Sequence, residues 1–241
     1  MEPIVNCYSI KQEILPFYEE LTADRNHRYR SWEHCYTYFR RHDSLRTEAE
    51  LDIGSLHLAF YLASWGMYRG SSALLWKDYK IHDAAVLKLL ESQYSNLWNF
   101  NPCEEKNDAE AIEQIIKLYH ELKQIYRERI TAVNGKSKEH EASEILITKI
   151  LLGTVGCTPA CDRFFIRGFR HESQYSTFGK KFLLRAFQFY RQQADEFSET
   201  QRVVLQRGGI NYPAMKLLDM YFWNLGVRLE RQDQQEDNLN V

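Results

Sequence analysis

The chain has 241 residues, 44% of them hydrophobic and 27% charged, which is ordinary for a globular protein and enough for one large core or two small ones. A net charge of −2 excludes a global basic field, so any attraction for nucleic acid must come from a local patch. No uncharged apolar run approaches the ~18 residues that cross a bilayer, and no basic leader with an apolar stretch opens the sequence. A cytoplasmic setting without a membrane is therefore expected, with reduced thiols at Cys7, Cys35, Cys103, Cys157 and Cys161.

Apolar residues recur at helical spacing along nearly the whole chain. The first helices are expected over 10–22, 28–41, 49–65 and 82–98. The second is rich in cations and rings: Arg28, Arg30, Arg40 and Arg41 with Tyr29, Trp32, Tyr36, Tyr38 and Phe39. After the third comes a dense patch, Ala63 to Ser72, in which Gly66 and Gly70 bracket Met67, Tyr68 and Arg69. Glycine there lets the backbone turn sharply or approach a neighbour. Arg69 beside Ser71 and Ser72 can hold a phosphate or a carboxylate, and a packed helix bend accounts for the same residues.

Pro102 to Asp108 is polar and is where two lobes would part. It leads into the clearest helix, Asp108 to Val133. There Ile112, Ile115, Ile116, Tyr119, Leu122, Ile125, Tyr126 and Ile130 step by three or four, and Glu113, Lys117, Glu121, Lys123 and Glu128 take the other face. Asn107 or Asp108 can cap its start, and Asn134-Gly135 is expected to end it in left-handed conformation. Another helix is expected over 140–152. It runs into a turn, Gly153 to Cys161, that presents Asp162 at the head of a new apolar segment. A carboxylate at a helix start is favoured by the macrodipole, so Asp162 reads as a first-turn acid, or as a general base or electrostatic stabiliser poised in a cleft.

Arg163, Arg167, Arg170 and His171, with Lys180 and Lys181 behind them, form the densest basic stretch, interleaved with Phe164, Phe165, Phe169, Tyr175 and Phe178. Cations for phosphates and rings for bases suit a single-stranded or flipped-base site. A helix with its rings in the core and its cations in water has the same composition. Helices are also expected over 178–197 and 214–230. The last is apolar nearly all round and so buried against several neighbours, although its run Tyr212 to Trp223 is also the composition of a protein interface. The polar tail from Arg231 to Val241 is expected to fray. No strand alternation is sustained, so the expected fold is all-α: a single compact multi-helix domain over 1–241, with any division into lobes near 102–108.

Cys157 and Cys161 stand beside Asp162, but a structural zinc site needs four ligands and no second pair lies near them. They read better as small buried hydrophobes. No nucleophile elbow, phosphate-binding loop, dinucleotide fingerprint or His-Glu-x-x-His motif occurs, so neither metal nor cofactor is implied.

The patches Leu62 to Ser72, Leu151 to Phe165 and Tyr212 to Trp223 resemble a family of uncharacterised bacterial proteins, a likeness that spans most of the chain and brings no activity with it. A shorter stretch, Glu141-Ala-Ser-Glu-Ile-Leu146 with Gly156 and Pro159-Ala-Cys-Asp-Arg-Phe-Phe165, is similar to the end of the helix-hairpin-helix DNA glycosylase fold. That resemblance implies Asp162 as the catalytic aspartate, acting on a base flipped into a pocket. It makes Lys138 the nearest candidate for the lysine of bifunctional members, and leaves Arg163, Arg167 and Arg170 to hold phosphates. The sequence departs from the pattern in offering only Asn134-Gly135 where a Gly-x-Gly hairpin is typical, and in a longer helix between the landmarks. The leading expectation is association with DNA through this local basic and aromatic patch. The alternative is a non-enzymatic subunit that binds a protein partner in a larger bacterial complex.

Overall fold

The computed structural model describes residues 8–137 and 141–239, and local capping chemistry explains where several of its helices begin. In chain order they are α1 (Ile10–Ala23), α2 (Ser31–Phe39), α3 (Glu48–Ser64), α4 (Asp83–Leu89) and α5 (Asp108–Arg129). A hairpin of β1 (Ala132–Val133) and β2 (Lys136–Ser137) follows, then α6 (Glu144–Gly153), α7 (Arg163–Arg170), α8 (Lys180–Gln192), α9 (Ala194–Gln206) and α10 (Ala214–Leu239). The fold is all-α, and that hairpin is the only sheet among the described residues. Thr47 starts α3 with a reciprocal cap. Its hydroxyl accepts from the Glu50 N–H at 3.2 Å, and the Glu50 carboxylate accepts from the Thr47 N–H at 2.9 Å. Ser143 caps α6 by accepting from the Leu146 N–H at 3.1 Å.

Tertiary contacts divide the chain into two units. One holds the residues up to 25, 101–108 and those from 159 onward; the other holds 26–100 and 109–158. The first unit contains α1 and α7–α10. Its core is aromatic, with Phe165, Phe169, Phe182, Phe189, Tyr221 and Phe222 all buried. Phe169 meets Phe222 edge-on at 5.0 Å, and Phe189 meets Phe222 at 4.8 Å. Such geometry adds to area burial because ring edges and faces carry opposite partial charge. Helices α7 and α10 approach so closely that a Cβ on Gly168 would overlap the Phe222 carbonyl oxygen, and one on Gly226 would overlap that of Phe164. Of the run Tyr212 to Trp223, Tyr212, Met215, Leu218, Tyr221 and Phe222 are buried in this core, and Trp223 is half-buried against Phe17 and Phe164.

In the second unit α3 packs on α2, α4 and α6. Gly153 at the end of α6 lets the helix rest directly on the Tyr61 ring, and the buried Trp32 donates its indole N–H to the Leu152 carbonyl at 3.1 Å. His82, fully buried, lies between two phenols: Nε2 to the Tyr68 hydroxyl at 2.7 Å and Nδ1 to the Tyr126 hydroxyl at 2.5 Å. Burial holds the His82 imidazole down to about 3 and pushes the Tyr126 phenol up.

Four local expectations are corrected. The helix expected to reach Val133 stops at Arg129, and Asn134-Gly135 (φ 52° and 71°) forms the turn of the β1–β2 hairpin. Two left-handed residues serve a two-residue hairpin as well as they serve a helix end, and the β-branched Ile130, Thr131 and Val133 favour the strand. The segment 82–98 breaks at Glu91, which is extended, into α4 and a 3-10 helix Ser92–Asn99. The segment 178–197 breaks at Gln193 into α8 and α9, whose acidic first turn, Asp195 and Glu196, marks a second helix start. The tail from Arg231 does not fray at its start: α10 continues to Leu239. Its residues are mostly good helix formers, and Asp233 is held by an ion pair to Arg167.

Candidate functional site

Asp162 is the N-cap of α7. Its carboxylate oxygen accepts from the backbone N–H groups of Phe164 and Phe165, both at 3.1 Å, with extended backbone at Asp162 itself. This satisfies two of the donors a helix start leaves open. The arginines that follow at four- and three-residue steps share one helix face. Arg163, Arg167 and Arg170, with Ile166 from α7 and Leu229, Glu230 and Asp233 from α10, line an open groove of about 770 Å3. The structure thus brings together the three expected phosphate-binding cations beside Asp162.

It also supplies their partners. Arg163 pairs with Glu230 at 3.2 Å, Arg167 pairs with Asp233, and Arg170 donates to the Ser176 hydroxyl at 3.1 Å. Two of the three guanidinium charges are matched by carboxylates from α10, which cancels most of the field a phosphate would feel. Phe165 and Phe169, expected to stack bases, are buried in the aromatic core. Phe164 packs edge-on against Trp223, and Phe178 packs against Phe182. Tyr175 alone of the five is exposed, at 40% of its full surface.

Arg69 is not among the residues that line this groove. Arg69 belongs to the second unit, where its guanidinium lies over the open face of Gly66, whose φ of 81° suits glycine. Lys138 lies outside the described residues. The turn leading to Asp162 is fixed by Asp219, which accepts from the Ala160 N–H at 3.0 Å and pairs with Lys216 at 3.1 Å, both side chains buried. Cys157 and Cys161 are buried free thiols, and burial pushes Cys157 up to about 12, far from the thiolate a nucleophile or metal ligand needs. Among the described residues, no three His, Cys, Asp or Glu side chains converge as a metal site would require.

A surface that charge and motif reading missed lies on α3. Gly54, Ser55, Leu58, Ala59, Tyr61 and Leu62 face inward, buried. Ala49, Ile53, Leu56, Phe60 and Ala63 form the outer face, all exposed, with Ile53 at 45%, Leu56 at 52% and Phe60 at 59% of their full surface. Their 4-3-4-3 spacing is that of a two-heptad coiled-coil seam. The rim is polar. Asp52 accepts from the Tyr79 hydroxyl at 3.2 Å and pairs with Lys80, while His57 on the other side stacks on Tyr38 at 4.6 Å. Leu75, Trp76 and Leu87 of the same unit are also about half exposed. The signal was present in the sequence as a helix apolar on both faces.

No family model, curated protein or solved structure matches the chain. Among the described residues no helix is long and apolar enough to cross a membrane.

Proposed function

We propose that this protein is a helical interaction module whose docking face is the outer stripe of α3. The observation that supports it is the contiguous set Ile53, Leu56 and Phe60, three large apolar side chains about half exposed at seam spacing. A folded chain rarely leaves such a row in water unless another apolar surface covers it. Glu48, Glu50 and Asp52 along the first turns disfavour an anionic bilayer as the cover and favour a protein. The alternative, nucleic-acid association, has in its favour the convergence of Arg163, Arg167 and Arg170 on one groove. Their carboxylate partners and the buried rings between them weigh for the docking reading.

A photoactivatable benzophenone amino acid placed at Phe60 in the native host tests this. A discrete adduct at Phe60, absent from a control placed at the exposed Glu113 on α5, is the expected result. No adduct at Phe60 would remove the reading.

A further inference from the structure

We infer that the occupant of the α3 stripe is a second copy of this chain, docked antiparallel about a two-fold axis that passes at Leu56. This rests on the docking reading above and adds the partner to it.

The argument begins with the order of side-chain sizes. Along α3 the stripe reads Ala49, Ile53, Leu56, Phe60, Ala63: small, large, large, large, small. Turned end for end about Leu56 it keeps that order, with Ala49 opposite Ala63, Ile53 opposite Phe60 and Leu56 opposite itself. An isologous contact requires this self-complementarity, because every residue i that meets j must be met by j in return. Measured from Leu56, Ala49 and Ala63 each lie seven residues away, while Ile53 at three and Phe60 at four face each other to within one residue step, about 1.5 Å. Small residues at both ends let the helix ends approach while the three large side chains fill the middle.

Charge selects the same direction. The first turn of α3 carries Glu48 and Glu50, and the capping hydrogen bonds from Thr47 and Arg46 keep Glu50 ionised. Beyond the C-terminal end stands the exposed Arg69, and residues 61–69 contain no acid. Antiparallel docking sets each acidic end toward the partner's arginine and aligns the two helix dipoles head to tail. Parallel docking would place the two acidic first turns side by side. The stripe is roughly 21 Å long, from fourteen residue steps. An interface of that length lies at the small end of specific contacts, so the dimer is expected to be reversible and concentration-dependent.

The test uses the full chain with Cys7 and Cys103 changed to Ser. Under mild oxidation Leu56→Cys should cross-link to itself. Ala49→Cys alone and Ala63→Cys alone should stay uncross-linked, and a mixture of the two should cross-link. In sedimentation velocity the wild-type mass should double with rising concentration, and Leu56→Lys should abolish the doubling with helicity unchanged. Self-cross-linking of Ala49→Cys, or a wild-type chain that remains monomeric throughout the range, would overturn the inference. An adduct at Phe60 of a mass other than two chains would keep the docking face and overturn the second copy as its occupant.

Discussion

The α7–α10 edge and the outer face of α3 distribute their chemistry in contrasting ways. The edge is dense in charge, yet Arg163 and Arg167 are answered by Glu230 and Asp233 from a segment more than sixty positions along the chain. Beneath it the two helices touch backbone to backbone at Gly168 and Gly226. The α3 face has little charge, and among the described residues nothing covers it fully: Ile53, Leu56 and Phe60 are about half exposed. A conspicuous motif can thus be a surface that is already satisfied, and an ordinary apolar helix can be the one with something left to bind. Exposed ion pairs contribute little to stability, about 1 kcal/mol or less, so the pairing on α7 matters more for cancelling field than for holding the fold.

The contrast is broken or sharpened most strongly at the glycine contact. Gly226→Ala places a methyl group against the Phe164 carbonyl and should cost about 3 kcal/mol. Phe60→Ser, measured where the chain is monomeric, should stay within about 0.5 kcal/mol. Denaturant unfolding of both variants checks this, and similar costs at the two positions would remove the distinction between a closed and an open face.

A pH-dependent effect, smaller per pH unit, distinguishes the interior of the unit that carries α3. His82 titrates near 3 when folded and near its ordinary value of about 6.5 when unfolded. Between those values the unfolded chain binds the extra proton, so stability is complete above about pH 6.5 and falls as the pH drops. The slope should approach 1.4 kcal/mol per pH unit, at about one proton. The wild-type curve minus that of His82→Gln isolates it. Parallel curves between pH 4 and 6.5 would show that the buried imidazole is not held neutral, against about one proton expected.

A more modest loss is expected at Asp162. As an N-cap its change to Ala should cost about 1 kcal/mol. At low salt, labelled DNA should bind wild type and the triple Arg163, Arg167, Arg170→Ala variant alike. Tight binding lost in the triple variant would restore the groove as the functional surface and reverse the ranking of the two faces.

The sequence by itself determined what is local. Periodic apolar positions identified the helices as all-α, with the starts of α1, α3, α5 and α10 close to where they stand, because helical spacing and caps act within a few residues. It also located Asp162 at a helix start and the Arg163–Arg170 cluster on one segment. Whether those cations are available was not local: the answer came from Glu230 and Asp233, which only the packing of α7 on α10 brings near. The same holds for α3. A helix apolar on two faces must be buried on one of them, but which one depends on the neighbours, and here α2, α4 and α6 cover the side of Leu58 and Tyr61 and leave Phe60 outside. Asn134-Gly135 gives the limiting case, since two left-handed residues suit a helix end and a hairpin equally, and only the strand pairing of Val133 with Lys136 decided between them.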